Sequence, residues 1–158
     1  MRTGMFFFMD IILLIELVAL SITPFVELRG AIPIALFLGV EPTYAFLICT
    51  IANILVVPVM FSTLDRSYPH LSRFGFVKKA LLRIERMSEA PVKRYGAFGL
   101  ALFIAIPFPG SVAYVGTLVA YLLKIERGKA FTAIGIGITI AGVLTTYLSL
   151  KAAGLLVW

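Results

Sequence analysis

Glu27 and Arg29 are charges in surroundings that otherwise carry almost none. They lie in Pro24-Phe-Val-Glu-Leu-Arg-Gly30, a break between two apolar runs. An uncompensated charge at membrane depth costs about 2.5–3.5 kcal/mol on insertion scales. Such residues are expected to pair, line a wet cavity or contact a substrate. A carboxylate there suits proton coupling or a cationic ligand, and a guanidinium suits a phosphate or carboxylate. A second break, Pro107-Phe-Pro-Gly110 followed by Ser111, holds the matching place further along the chain. Helices beginning near Gly30 and Ser111 would aim backbone N–H groups and positive dipole ends at the two breaks, and Ser111 is a good N-cap. The expected substrate- or ion-binding set is therefore Pro24, Glu27, Arg29, Gly30, Pro107, Pro109, Gly110 and Ser111. Asp10, Glu16, Asn53, Tyr114 and Thr117 are secondary candidates. A structural alternative stands beside each: Glu27 and Arg29 bridging one another or capping helix ends, the secondary five packing or facing an interface.

Other chemistries find little support. His70 is the single histidine and Cys49 the single cysteine, so no metal site, cofactor or internal disulfide is expected. The hydroxyls have no identifiable base beside them, which speaks against an enzyme acting by nucleophilic catalysis.

The elements that must position these residues follow from composition. Of 158 residues, 61% are hydrophobic and 14% charged, and the mean hydropathy is +1.04. Soluble domains average about 45–50% apolar and about a quarter charged residues. The expectation is an all-α integral membrane protein forming one membrane domain over 1–158. The apolar N-terminal stretch from Met1 to Thr23 faintly resembles a signal peptide, but Asp10 and Glu16 interrupt it, and it is read as retained.

Two halves share a plan. Residues 1–61 run as apolar Met5–Thr23, the first break, apolar Ala31–Val40, a Glu41-Pro42 corner and apolar Thr43–Phe61. Residues 95–158 run as Tyr95–Ile106, the second break, Ser111–Leu123, a Lys124–Lys129 corner and Ala130–Leu150. Crossing a bilayer takes about 20 helical residues, which Thr43–Phe61 and Ala130–Leu150 supply. The shorter runs suit re-entrant hairpins, although Met5–Thr23 is also long enough to span. Between the halves, residues 62–94 carry eight basic and three acidic residues. Phe74, Val77, Leu81 and Ile84 recur there at helical spacing, which predicts a basic amphipathic helix ended by Pro91 and lying on anionic headgroups. With hairpins, this linker and the 124–129 corner share one face, which the positive-inside tendency makes cytoplasmic. Both termini then lie outside, and the halves form inverted repeats of a multi-pass protein in the cell membrane. Plain spans would put the two basic clusters on opposite faces. The basic balance also raises nucleic acid as a partner, but charge placed beside spans favours the membrane.

Ala133, Gly137 and Ala141 recur every four residues and predict a close helix–helix contact, within the chain or between chains. Two spans and two hairpins hardly enclose a path alone, so a homodimer is expected. Trp158 reads as an interfacial anchor. The absence of glutamine and the single asparagine suit a thermophilic source.

The segment Pro24-Phe-Val-Glu-Leu-Arg-Gly-Ala-Ile-Pro33, the run from Ile106 to Gly116 and the following Lys-Ile-Glu-Arg-Gly-Lys-Ala-Phe resemble the small multi-drug export protein family. The layout is also similar to the DedA/VTT membrane proteins, whose paired re-entrant hairpins are associated with moving lipid carriers or phospholipids. The first resemblance implies export of small molecules. The second implies a flippase in which Glu27, Arg29 and Gly30 form the charged hairpin, but Pro107–Tyr114 lacks the arginine of the DedA pattern. The expectation is a proton-coupled exporter of small amphipathic molecules. A lipid or lipid-phosphate flippase is the alternative, and a non-transporting structural membrane protein is a third possibility of another class.

Overall fold

A computed structural model describes residues 2–71, 75–105 and 112–154. Its elements are α1 (Arg2–Ile22), α2 (Glu27–Phe37), α3 (Pro42–Leu71), α4 (Gly75–Ala105), α5 (Val112–Leu122) and α6 (Arg127–Ala152). Every described element is an α-helix, as the composition predicts. Two helices are long and apolar enough to cross a bilayer, over Pro42–Tyr68 and Arg127–Ala152. At 1.5 Å per residue the 11-residue α2 and α5 reach only about 16 Å, roughly half a hydrocarbon core.

The helix ends have local causes. Pro42 opens α3 at the one helical position where a missing N–H costs nothing. After α2, Gly39 takes φ 82°, its N–H bonds to the Leu36 carbonyl, and the Val40 N–H bonds to the Ala35 carbonyl. This pair of bonds is a Schellman cap. After α5, Lys124 takes φ 53°, its N–H bonds to the Tyr121 carbonyl, and the Ile125 N–H bonds to the Ala120 carbonyl. The same cap therefore recurs with lysine where the first half has glycine.

The recurrence extends in register. Glu27, Gly39 and Pro42 correspond to Val112, Lys124 and Arg127 at one common offset along the chain. Burial follows it. Leu28, Ala31, Ile32 and Ala35 are buried on α2, as are their counterparts Ala113, Gly116, Thr117 and Ala120 on α5. Ala45, Cys49, Ala52, Asn53 and Val57 on α3 match Ala130, Ile134, Gly137, Ile138 and Gly142 on α6.

Two boundaries differ from expectation. The first break is shorter than Pro24–Gly30. Val26 already has helical dihedrals (φ −82°, ψ −61°), and α2 starts at Glu27, so Arg29 and Gly30 lie in the helix while Glu27, at φ 45°, joins it to the turn. The amphipathic helix does not end at Pro91 but runs to Gly96, whose φ of 57° and ψ of −134° break α4. Glycine alone adopts that conformation readily, whereas Pro91 keeps a φ compatible with the helix and costs it a hydrogen bond. In addition, α3 continues past Phe61 through the first ten residues assigned to the linker.

Contacts divide the chain into two compact units, residues 1–53 with 142–158, and residues 54–141. In the first, α1 packs on α2 around Leu17, Ala35 and Ala45, with Leu13, Leu36, Val40 and Ile48 against them. Gly142 of α6 meets α3 so closely that a Cβ there would lie 2.8 Å from Thr50 Oγ1 and 2.9 Å from Phe46 Cε2. In the second, α4 packs on α5. Ile104 fills the space left by Gly116 of α5 and Gly137 of α6, where added Cβ atoms would come within 2.6 and 2.7 Å of it. Gly137 of the small-residue stripe thus serves a contact within the chain. At the end of α5, Tyr68 and Tyr121 rings lie 5.2 Å apart. Arg127 holds Asp65 through two 2.8 Å bonds and covers the Phe61 ring at 5.8 Å.

Candidate functional site

The first break is built from strained backbone. Phe25 and Glu27 take φ of 79° and 45°, a region that non-glycine residues rarely enter. Each such residue costs on the order of 1–3 kcal/mol, and strain of this kind clusters at functional sites. The turn closes through the Glu27 N–H, which donates to the Thr23 carbonyl at 3.1 Å, and the Gly30 N–H, which donates to the Val26 carbonyl at 2.9 Å. Gly30 is needed because a Cβ there would lie 2.7 Å from Val26 Cγ1.

The strained turn buries a charge and exposes a ring. Glu27 is 2% exposed while Phe25, two residues earlier, is 91% exposed. Arg29 is half-buried and within electrostatic reach of the Glu27 carboxylate. One turn of α2 therefore carries both charges on an otherwise apolar helix.

Around this turn the first unit gathers more buried polar groups than the sequence suggests. Asn53 on α3 is fully buried, and its Nδ2 donates to the Ser21 carbonyl at the end of α1 at 2.8 Å. That bond fixes the amide so that Oδ1 is the atom left over. Asn53 Oδ1 and Thr50 Oγ1 are buried without a hydrogen-bond partner, and buried Ser21 Oγ meets the Cys49 thiol, a weak partner. Asn53 was anticipated, but Ser21 and Thr50 were not. The available signal was Thr50-x-x-Asn53, two polar residues on one helical face of an apolar span.

The other candidates fall as follows. Pro24 and Glu16 are exposed, and Tyr114 is half-buried. Thr117 is buried with its hydroxyl donating to the Ala113 carbonyl at 2.6 Å, a bond that spends it on its own helix. Pro107, Pro109, Gly110, Ser111 and the Asp10 side chain lie outside the described residues. The structure thus gathers the break, Glu27, Arg29 and Asn53 within the first unit.

Among the described residues no group of three or more His, Cys, Asp or Glu side chains is placed to hold a metal ion. No curated protein and no solved structure matches the chain. The sequence profile described as Putative small multi-drug export protein matches residues 27–144, from the first residue of α2 into α6. With most of its length covered, the chain belongs to that family of membrane proteins.

Proposed function

We propose that the chain is a secondary transporter exporting small amphipathic molecules, with Glu27 coupling their movement to protons. The observation that carries this reading is a carboxylate only 2% exposed, held on a strained turn beside Arg29. A carboxyl group in a buried, mostly apolar setting is suited to taking up and releasing a proton as its surroundings change. A break in a membrane helix is also where transporters place their ligands. The chemistry is binding and release, with no covalent step.

On this reading α1 with α2, and α4 with α5, are hairpins entering from opposite sides, and α3 and α6 cross fully. The common register of caps and burial supports repetition of the unit, and the charge distribution supports its inversion. The exposed row Lys79, Arg83 and Arg86 beside Leu82 suits anionic headgroups on the cytoplasmic face. A homodimer would complete the path across the bilayer.

The experiment is efflux of a fluorescent amphipathic cation from proteoliposomes under an imposed pH gradient. Wild type should respond to the gradient, and Glu27→Gln should fold normally but lose the response. Undiminished, still gradient-driven efflux by Glu27→Gln would exclude the coupling role. If Arg29→Ala instead abolished movement of an anionic lipid, the flippase alternative would take its place.

A further inference from the structure

Among the described residues, most hydroxyls on or beside helices share a habit that Ser21 and Thr50 do not. Thr23, Ser62, Thr63, Ser67, Thr117, Thr132, Thr139, Thr146 and Ser149 each donate to the carbonyl four residues earlier, at 2.6–3.0 Å. That is the usual way to satisfy a hydroxyl in apolar surroundings. Ser21 and Thr50 forgo it, and both are buried.

The residues that carry these oxygens are neighbours. Thr50 and Asn53 are three residues apart on α3 and so share a face, with Cβ atoms about 5–6 Å apart. The Asn53 amide holds the Ser21 backbone, which brings the Ser21 hydroxyl to that face. Gly142 of α6 keeps a methyl group off Thr50 Oγ1. Asn53 lies about 16 Å along α3 from Pro42, near the middle of a hydrocarbon core of about 30 Å. Counterparts of Thr50 and Asn53 in the second half are Gly135 and Ile138, so the polar set is peculiar to the first.

Buried polar groups in native proteins are satisfied, and buried oxygens on three neighbouring residues call for a partner beyond the Cys49 thiol. We propose that Asn53 Oδ1, Thr50 Oγ1 and Ser21 Oγ form a binding site for sodium. All three are hard oxygen donors, which hard cations take. None carries a charge, which favours a monovalent ion over calcium or magnesium, since those draw on several carboxylates. With the ion bound, each hydroxyl presents a lone pair to it. The site rests on these three oxygens and stands apart from the coupling role of Glu27.

The test is thermal unfolding of the purified full-length protein in detergent, in sodium chloride against choline chloride and potassium chloride at equal ionic strength. Sodium should raise the midpoint saturably, on the order of 5 °C, and potassium should do so less. Thr50→Val and Ser21→Ala remove one oxygen each while keeping shape. They should unfold in choline at or above the wild-type midpoint and lose the sodium increment. A midpoint equal in sodium and choline, which water alone in the site would give, overturns the proposal. So does a sodium increment that survives in both variants. A sodium response retained by Glu27→Gln with unaltered gradient-driven efflux would leave this site standing while the proton-coupling role fell.

Discussion

Asn53 Nδ2 donates to the Ser21 carbonyl at 2.8 Å, tying the middle of the first long helix to the chain two residues before the strained turn. The bond joins elements far apart in sequence and fixes which end of the amide is spent. It also sets the turn's place. Thr23 accepts from the Glu27 N–H, so α3 steadies the backbone from which Glu27 departs.

Asn53→Ala and Thr50→Val should move stability in opposite directions. The first leaves the buried Ser21 carbonyl without its donor and opens a cavity, costing about 2–4 kcal/mol. The second deletes an oxygen that has no partner and keeps the side chain's shape, which should be neutral or stabilising by up to about 2 kcal/mol without sodium. Denaturation in detergent with choline as the only monovalent cation measures both. A loss in Thr50→Val as large as in Asn53→Ala would mean that Thr50 is hydrogen-bonded after all.

Two glycines on α6, Gly135 and Gly137, separate packing from propensity. At Gly137 a Cβ would lie 2.7 and 2.8 Å from Ile104 carbons and 2.9 Å from the Ala101 carbonyl oxygen. The backbone oxygen cannot rotate away, so Gly137→Ala should cost about 1–3 kcal/mol through overpacking. Gly135 has nothing within 4 Å of that position, so Gly135→Ala should gain about 0.5–1 kcal/mol from helix propensity. Equal effects in the two thermal midpoints would contradict the close approach of α4 to α6.

Much of the architecture could be read from residue types because bilayers demand long apolar helices and prolines mark their interruptions. Pro24 and Pro42 marked the first break and the start of α3, and the charges at 27 and 29 drew attention to the turn between α1 and α2. The limits of that reading have physical causes too. Pro91 and Gly96 are both breakers, and only the backbone shows that glycine took the turn. The shared register of the halves is carried by caps and burial. It puts lysine opposite glycine and isoleucine opposite asparagine, so identity scarcely registers it. Ser21 and Thr50 were silent because a helical hydroxyl ordinarily bonds its own backbone. Their exception exists only in three dimensions.

The Arg127–Asp65 pair, in which one guanidinium nitrogen meets both carboxylate oxygens, should contribute little to stability. Its side chains are 65% and 39% exposed, and exposed pairs are typically worth 0.2–1 kcal/mol and weaken with salt. Asp65→Asn should lower stability by less than about 1 kcal/mol, with the difference fading between 50 mM and 1 M salt. A larger, salt-insensitive loss would show that Arg127 depends on Asp65 for its place over Phe61.

Equivalent caps make a reciprocal prediction at Gly39 and Lys124. Both residues occupy the left-handed position of a Schellman cap, at φ 82° and 53°, and each is followed by a bond reaching back five residues. A side chain in that conformation costs roughly 1 kcal/mol or more, which glycine avoids. Gly39→Ala should therefore destabilise by about 1 kcal/mol, although nothing lies within 4 Å of the added methyl. Lys124→Gly should stabilise by a similar amount, because the exposed lysine gives up little packing. Thermal midpoints of the two variants, read beside wild type, decide the matter. If both fell, the lysine side chain would have to be holding the 124–129 corner by a contact stronger than its backbone strain.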